Sequence, residues 1–326
     1  MNKKNIGYIS IETVITAALI LAIGMAALMN FGVLGLDSMT KGMGKLDGTG
    51  VFNSGTISTP TTGSYDLNGY DVSLNVKTAD INPVSDFEFE DLGSSYRIKD
   101  YLNTTDFEIV IPKVHTDGKP ITEIKMGALA NKLLTSAIIP NSITSIGGAA
   151  FSNNPLTSII IPSSVIYLGS NIFSHNQLVT ANIPDGITTI DSGLFVYNKL
   201  TSIVIPSSVT TILDVAFYNN KLTSIIFPAG LTSIGSQAFS NNSLTSIIIP
   251  NNVTVIAGGA FWNNPATTLT LSNKLTSIGA TAFQNNKLTS VVIPETVTEI
   301  GYYAFSNNLL TAVEFKGAAP TIIGEA

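Results

Sequence analysis

Apolar positions return along most of this chain with a fixed step of 22 residues. Phenylalanine recurs at Phe151, Phe173, Phe195, Phe217, Phe239, Phe261, Phe283 and Phe305. Proline keeps the same step from Pro140 through Pro162, Pro184, Pro206, Pro228 and Pro250, is replaced by Ser272, and returns at Pro294. Asparagine does so from Asn154 through Asn176, Asn198, Asn220, Asn242, Asn264 and Asn286 to Asn308. One unit reads Leu200-Thr201-Ser202-Ile203-Val204-Ile205-Pro206, followed by Val209, Ile212, Ala216-Phe217 and Asn220. Such self-similarity marks a solenoid, in which each coil buries its apolar face only against its neighbours.

Within a unit, Leu200, Ile203 and Ile205 are spaced to point inward from a short parallel strand. Pro206 ends that strand, since it has no N–H for a further ladder rung. Val209, Ile212 and Phe217 close the far side of the coil. The asparagine column is expected to satisfy backbone groups in the turns. A 22-residue period lies within the 20 to 29 residues of leucine-rich repeats.

Alternation puts a second set of strand residues outside. Ile138, Ile160, Asn182, Val204, Ile226, Ile248, Thr270, Val292 and Glu314 form one outward row, with a hydroxyl row from Ser136 to Ser290 beside it. The uncharged centre of this surface, Ser202, Val204, Ser224, Ile226, Ser246 and Ile248, is the candidate ligand-binding face. Two readings stand side by side. β-Branched residues favour strands whatever their use, and a contiguous apolar patch at solvent marks an interaction site. The ligand would be an extracellular protein or glycan.

The amino terminus follows a different pattern. No charge occurs from Thr13 to Leu36, a stretch that makes roughly 36 Å of helix and spans a bilayer core of about 30 Å. Lys3 and Lys4 precede it, which keeps the start of the chain in the cytoplasm. A secretory signal peptide also begins this way, but its apolar run is shorter and would not carry Glu12 at its start.

The stretch Lys3-Lys4-Asn5-Ile6-Gly7-Tyr8-Ile9-Ser10-Ile11-Glu12 resembles the leader of type IV pilins and pilin-like proteins. The resemblance implies cleavage by a prepilin peptidase after Gly7, leaving Tyr8 as a methylated terminus with Glu12 fifth in the mature chain. In that family the Glu neutralises the terminal amine of a neighbouring pilin-like subunit. A carboxylate and an ammonium buried in lipid or a helix bundle each require such a partner. Gly42, Gly44, Gly48 and Gly50 crowd in soon after the apolar run, so the family's long helix and usual head domain are absent.

The repeat resembles the BspA-type leucine-rich repeat of bacterial surface proteins. Its motif stands here as Ile249-Pro250, Val253-Thr254, Ile256 and Ala260-Phe261, and again as Ile293-Pro294, Val297-Thr298, Ile300-Gly301 and Ala304-Phe305. The resemblance covers about residues 86–326 and implies a secreted or surface-bound binding protein without shared catalytic residues. The expected fold is therefore an N-terminal transmembrane or pilin-like α-helix followed by a β-rich leucine-rich-repeat solenoid. The divisions are a leader at 1–7, a hydrophobic helix at 8–48, a flexible linker at 49–64, a β-rich cap at 65–111 and repeats at 112–326. The expected location is the cytoplasmic membrane before assembly, then the cell surface, within a filament or without any filament role. At the far end Phe315 to Gly324 begins a further repeat, so the last coil is expected to be ragged, covered by a partner or truncated.

Composition narrows the chemistry. Of 326 residues only 12% are charged and 44% are hydrophobic, which excludes intrinsic disorder. A net charge of -6 argues against nucleic acid, whose binding rests on Lys and Arg. Without cysteine there is no disulfide, thiolate metal site or thiol nucleophile. His115 and His175 are the only histidines, so neither enzyme, metal nor cofactor is expected. Asp86, Glu88, Glu90 and Asp91 read as a solvated strand edge rather than a cation site, and Asp66, Asn68 and Asp71 lack the bidentate Glu of a calcium loop. His115 is expected in an exposed turn, His175 as a scaffold variant of an asparagine column, and Trp262 as a possible anchor.

Overall fold

The computed structural model describes residues 44–46, 52–54 and 81–322. The leader, the apolar stretch with Gly7, Tyr8 and Glu12, and the Tyr65–Val76 part of the expected cap lie outside them. Among the described residues no helix is long and apolar enough to cross a membrane. Gly44–Leu46 and Phe52–Ser54 pair antiparallel. The chain is thus extended where the expected helix of 8–48 ends, in keeping with the glycines there.

From Glu108 onward the chain winds as a succession of short parallel strands and turns. The first strand column holds Glu108–Val110, Ser136–Ile138, Ser158–Ile159, Thr180–Ala181, Ser246–Ile248, Thr268–Thr270, Ser290–Ile293 and Ala312–Phe315. Glu108–Val110 already pairs with Ser136–Ile138, so the coils begin inside the stretch expected to be cap. A second column, unforeseen in the sequence, follows each proline turn. Seven of its strands, from Thr189–Ile190 to Thr321–Ile322, form one parallel sheet. Three more continue into the hairpin Phe87–Asp91 and Tyr96–Tyr101, which pairs antiparallel and closes the first coils. That hairpin lies within the stretch of 65–111 expected to be cap.

Each proline opens a tight turn. The carbonyl of Pro206 accepts the N–H of Val209 at 3.1 Å, and Pro140, Pro162, Pro184, Pro228, Pro250 and Pro294 do the same at 3.1 Å. Ser272 keeps the turn without proline: its carbonyl accepts from Leu275, and its hydroxyl accepts from the Lys274 N–H. A local side-chain bond here replaces the fixed φ of proline.

The core is a set of stacked columns. Leu200, Ile203, Ile205, Val209, Ile212, Ala216 and Phe217 are all buried, as the spacing predicts. Burying one such side chain contributes roughly 1.5–3 kcal/mol, and the solenoid repeats this in every coil. The phenylalanine rings from Phe151 to Phe305 stack at 5.1–5.8 Å between centroids. Phe227 stands edge-on to two of them, Phe239 and Phe261.

In several coils a glycine follows the inward residue of the second column and lets the backbones approach closely. A Cβ at Gly279 would lie 2.5 Å from the backbone nitrogen of Gly258. Asp191 takes that position in one coil, and no ladder joins Tyr167–Leu168 to Thr189–Ile190, whereas Thr211–Ile212, followed by Leu213, keeps its ladders to both neighbours. In the first column residues 202–205 carry no ladder to Thr180–Ala181.

Candidate recognition faces

The strand face expected to bind a ligand is exposed over only part of its length. Inward and outward positions alternate as predicted: Ile247 is fully buried while Ile248 is 62% exposed. Ile226 is 40% exposed, and Val292, Thr270, Ser224, Ser246, Thr268 and Ser290 also face solvent. The hydroxyls of Thr268 and Ser246 bond across neighbouring strands at 2.8 Å. Ser246–Ile248 pairs with Thr268–Thr270, and Ser290–Ile293 with Ala312–Phe315.

The other half departs from expectation. Ile138 is not outward at solvent but 4% exposed, and with Val110 it forms a small second cluster that Ile81 and Ile160 cover. The cause is the incoming chain. The Asn82 N–H donates to the Val110 carbonyl at 3.1 Å, and the Val110 N–H donates back to Asn82 Oδ1 at 2.8 Å. This pins Ile81 over the outer side of the first strands. Thr180 is buried as well, and Ser202 and Val204 are half-buried. Residues 202–205 and 224–227, expected to be strands, carry no ladder. At 182 the asparagine side chain takes over the ladder bonds, accepting from the Ile161 N–H at 2.7 Å and donating to its carbonyl at 2.8 Å.

A different face carries a regular threonine row. Thr188, Thr210, Thr232, Thr254, Thr276 and Thr298 are exposed on the second strand column. The Thr232 hydroxyl donates to the Thr210 carbonyl at 2.9 Å and Thr276 to Thr254 at 3.0 Å. In the coil between Thr144 and Thr188 this row is broken by exposed Ile166 and Tyr167. The 22-residue step marks these positions too, four residues after the proline of each turn in Thr188, Thr210, Thr232, Thr254 and Thr298.

The acidic run is consumed in ion pairs of the hairpin. Glu88 pairs with Lys99, Glu90 with Arg97 at 3.3 Å, and Asp91 with Lys119 at 3.1 Å, while Asp86 accepts from Asn82 and Asn103. The Gly93 N–H first, then Lys119, hold the Asp91 carboxyl below its usual range. His115 is not free in its turn: its ring stacks on Tyr96 at 4.0 Å and its Nδ1 lies 3.4 Å from Asp117. Trp262 is half-buried.

These columns and turns agree with a family assignment. The model of the BspA-type leucine-rich repeat region matches residues 122–242 and 210–326, well over half of the chain. The chain belongs to the BspA-type leucine-rich-repeat family. No curated protein matches it. Among solved structures it is similar to a leucine-rich cell surface protein from Faecalibacterium prausnitzii A2-165, at 23% identity over 73% of this chain and 95% of that one, with a TM-score of 0.41. A leucine-rich repeat protein from Bacteroides ovatus ATCC 8483 matches at 19% identity over 74% and 90%, with a TM-score of 0.42.

In this BspA-type chain His175 does not pack into the scaffold. It is exposed and stands edge-on to Tyr197 at 4.6 Å, which in turn stands edge-on to Tyr218 at 5.4 Å.

Proposed function

We propose that this is a bacterial cell-surface binding protein, held to the membrane by its N-terminal apolar segment and displayed in or on a type IV pilus-like filament. The observation that carries the binding role is the open flank of Ile226, Ile248 and Val292, an uncharged apolar row at solvent beside exposed hydroxyls. Its partner would be an extracellular protein or glycan, and the role is recognition rather than catalysis. Display outside the cell is supported by the surface proteins the repeat resembles and by the basic start and uncharged stretch at Thr13–Leu36.

The filament role rests on Gly7, Tyr8 and Glu12. Mass spectrometry of the native protein should find a methylated terminus at Tyr8. Glu12→Ala should be processed and inserted normally, yet assemble poorly with pilin-like subunits, because the terminal amine of a neighbour would then lack its counter-charge. A mature terminus near Ala27 would end the filament reading and leave a membrane-anchored or secreted surface protein.

A further inference from the structure

Each coil contains a turn position held in the left-handed region. Asn131, Asn153, His175, Tyr197, Asn219, Asn241, Asn263, Asn285 and Asn307 all have φ between 53° and 58°. Asparagine suits this conformation, because its short polar side chain bonds locally. In the last coils the carboxamides bond to one another, Asn263 donating to Asn241 at 2.6 Å and Asn307 to Asn285 at 2.8 Å. Two neighbouring coils break the rule with rings, His175 and Tyr197, and the bulky Tyr197 is strained there.

The exceptions meet in space. The His175 N–H donates to the Val196 carbonyl at 2.9 Å and the Tyr197 N–H to the Tyr218 carbonyl at 3.0 Å, so the three rings sit on successive coils. Tyr197 remains 44% exposed. The Tyr197 phenol is held above its usual range by the nearby Tyr218 charge, then by partial burial and a hydrogen bond to the Tyr218 hydroxyl. Asn153, exposed, precedes this group in the column, and Asn219, half-buried, follows it. A cluster of rings, each edge-on to the next, with polar tips, bracketed by donors and acceptors and without a charged residue among the five, matches a sugar: C–H groups against a ring face, hydroxyls around the rim.

We propose that His175, Tyr197 and Tyr218, flanked by Asn153 and Asn219, form a binding site for a neutral pyranose of an oligosaccharide. The site is separate from the strand flank of Ile226 and Ile248, and does not depend on it. A pyranose laid on the Tyr197 ring loses water from its C–H face, while the carboxamides exchange water for its equatorial hydroxyls.

The repeat itself supplies the test. His175→Asn with Tyr197→Asn restores the residue found at the other seven coils, and Tyr218→Ser restores that of Ser152, Ser174, Ser240 and Ser306. The full chain, in a detergent without sugar headgroups, is presented with cello-, chito- and manno-hexaose on an array. The wild type should retain at least one of them, and either variant should lose it at least ten-fold while melting no lower than the wild type. A wild type that captures none of the three, or variants that capture as well as the wild type, would overturn the assignment. Adhesion through the strand flank would survive that result, so the two readings fail separately.

Discussion

The carboxamide of Asn220 reaches back one coil to donate to the carbonyl of Phe195 at 2.9 Å. The same nitrogen donates to Phe217 at 3.2 Å, and its Oδ1 accepts the Leu200 N–H at 3.0 Å. One buried side chain thus satisfies backbone groups of two coils and ties each phenylalanine turn to the next. The column from Asn154 to Asn308 repeats the arrangement.

Asn220→Leu should therefore be among the most damaging single changes. It leaves two carbonyls and an N–H buried without partners, at about 1–3 kcal/mol for each unsatisfied group. Urea titration should show a loss of several kcal/mol, and a loss under about 1 kcal/mol would mean that water replaces the bonds.

The two faces of one strand should respond in opposite ways. Ile247→Ala opens a cavity and should cost about 2–5 kcal/mol. Ile248→Lys should stay within about 0.5 kcal/mol of the wild type, as exposed substitutions do. Combined with Ile226→Lys, it should abolish binding of cells or matrix. Melting and adhesion measured on the same preparations separate these outcomes, and intact adhesion would move the partner site off this flank.

Val215 is a β-branched residue at φ 51°, in a turn where other coils place Gly193 and Gly259. Its N–H donates to the Ser236 carbonyl at 2.8 Å, which holds the strained geometry in place. Val215→Asn should raise stability by about 1 kcal/mol, the scale of the left-handed penalty. Differential scanning calorimetry should register a higher melting temperature, and an unchanged one would show that the Val side chain recovers the strain by packing.

Tyr101 ties stability to alkaline pH. Burial, then the charges of Asp106 and Asp86, push its phenol from 10.0 to about 12, and its hydroxyl donates to the Asp106 carbonyl at 3.0 Å. Because the folded state keeps the proton that the unfolded chain releases, the contribution is whole below pH 10 and is lost as pH rises toward 12. Melting curves of the wild type and Tyr101→Phe should converge across that window. Parallel curves would show that Tyr101 titrates alike in both states.

The sequence by itself determined the period, the inward positions and the stacking of like on like. A strict 22-residue step puts equivalent residues in register, and the spacing of Leu200, Ile203 and Ile205 leaves one way to bury them. The asparagine column was legible for the same reason, since a polar residue among core positions must bond to backbone. Where that regularity fails is set by contacts between coils and with the incoming chain. Ile138 and Ile226 occupy the same place in their repeats, yet Ile138 is covered because Ile81 arrives from outside the repeat and Asn82 locks it there. No local pattern encodes that. The left-handed turns were hidden as well. Ladder bonds between coils impose φ near 55° on Val215, His175 and Tyr197 alike, so the conformation belongs to the stack and not to the residue. The two coils whose rings break the asparagine rule become a site only because stacking brings residues 22 apart into contact.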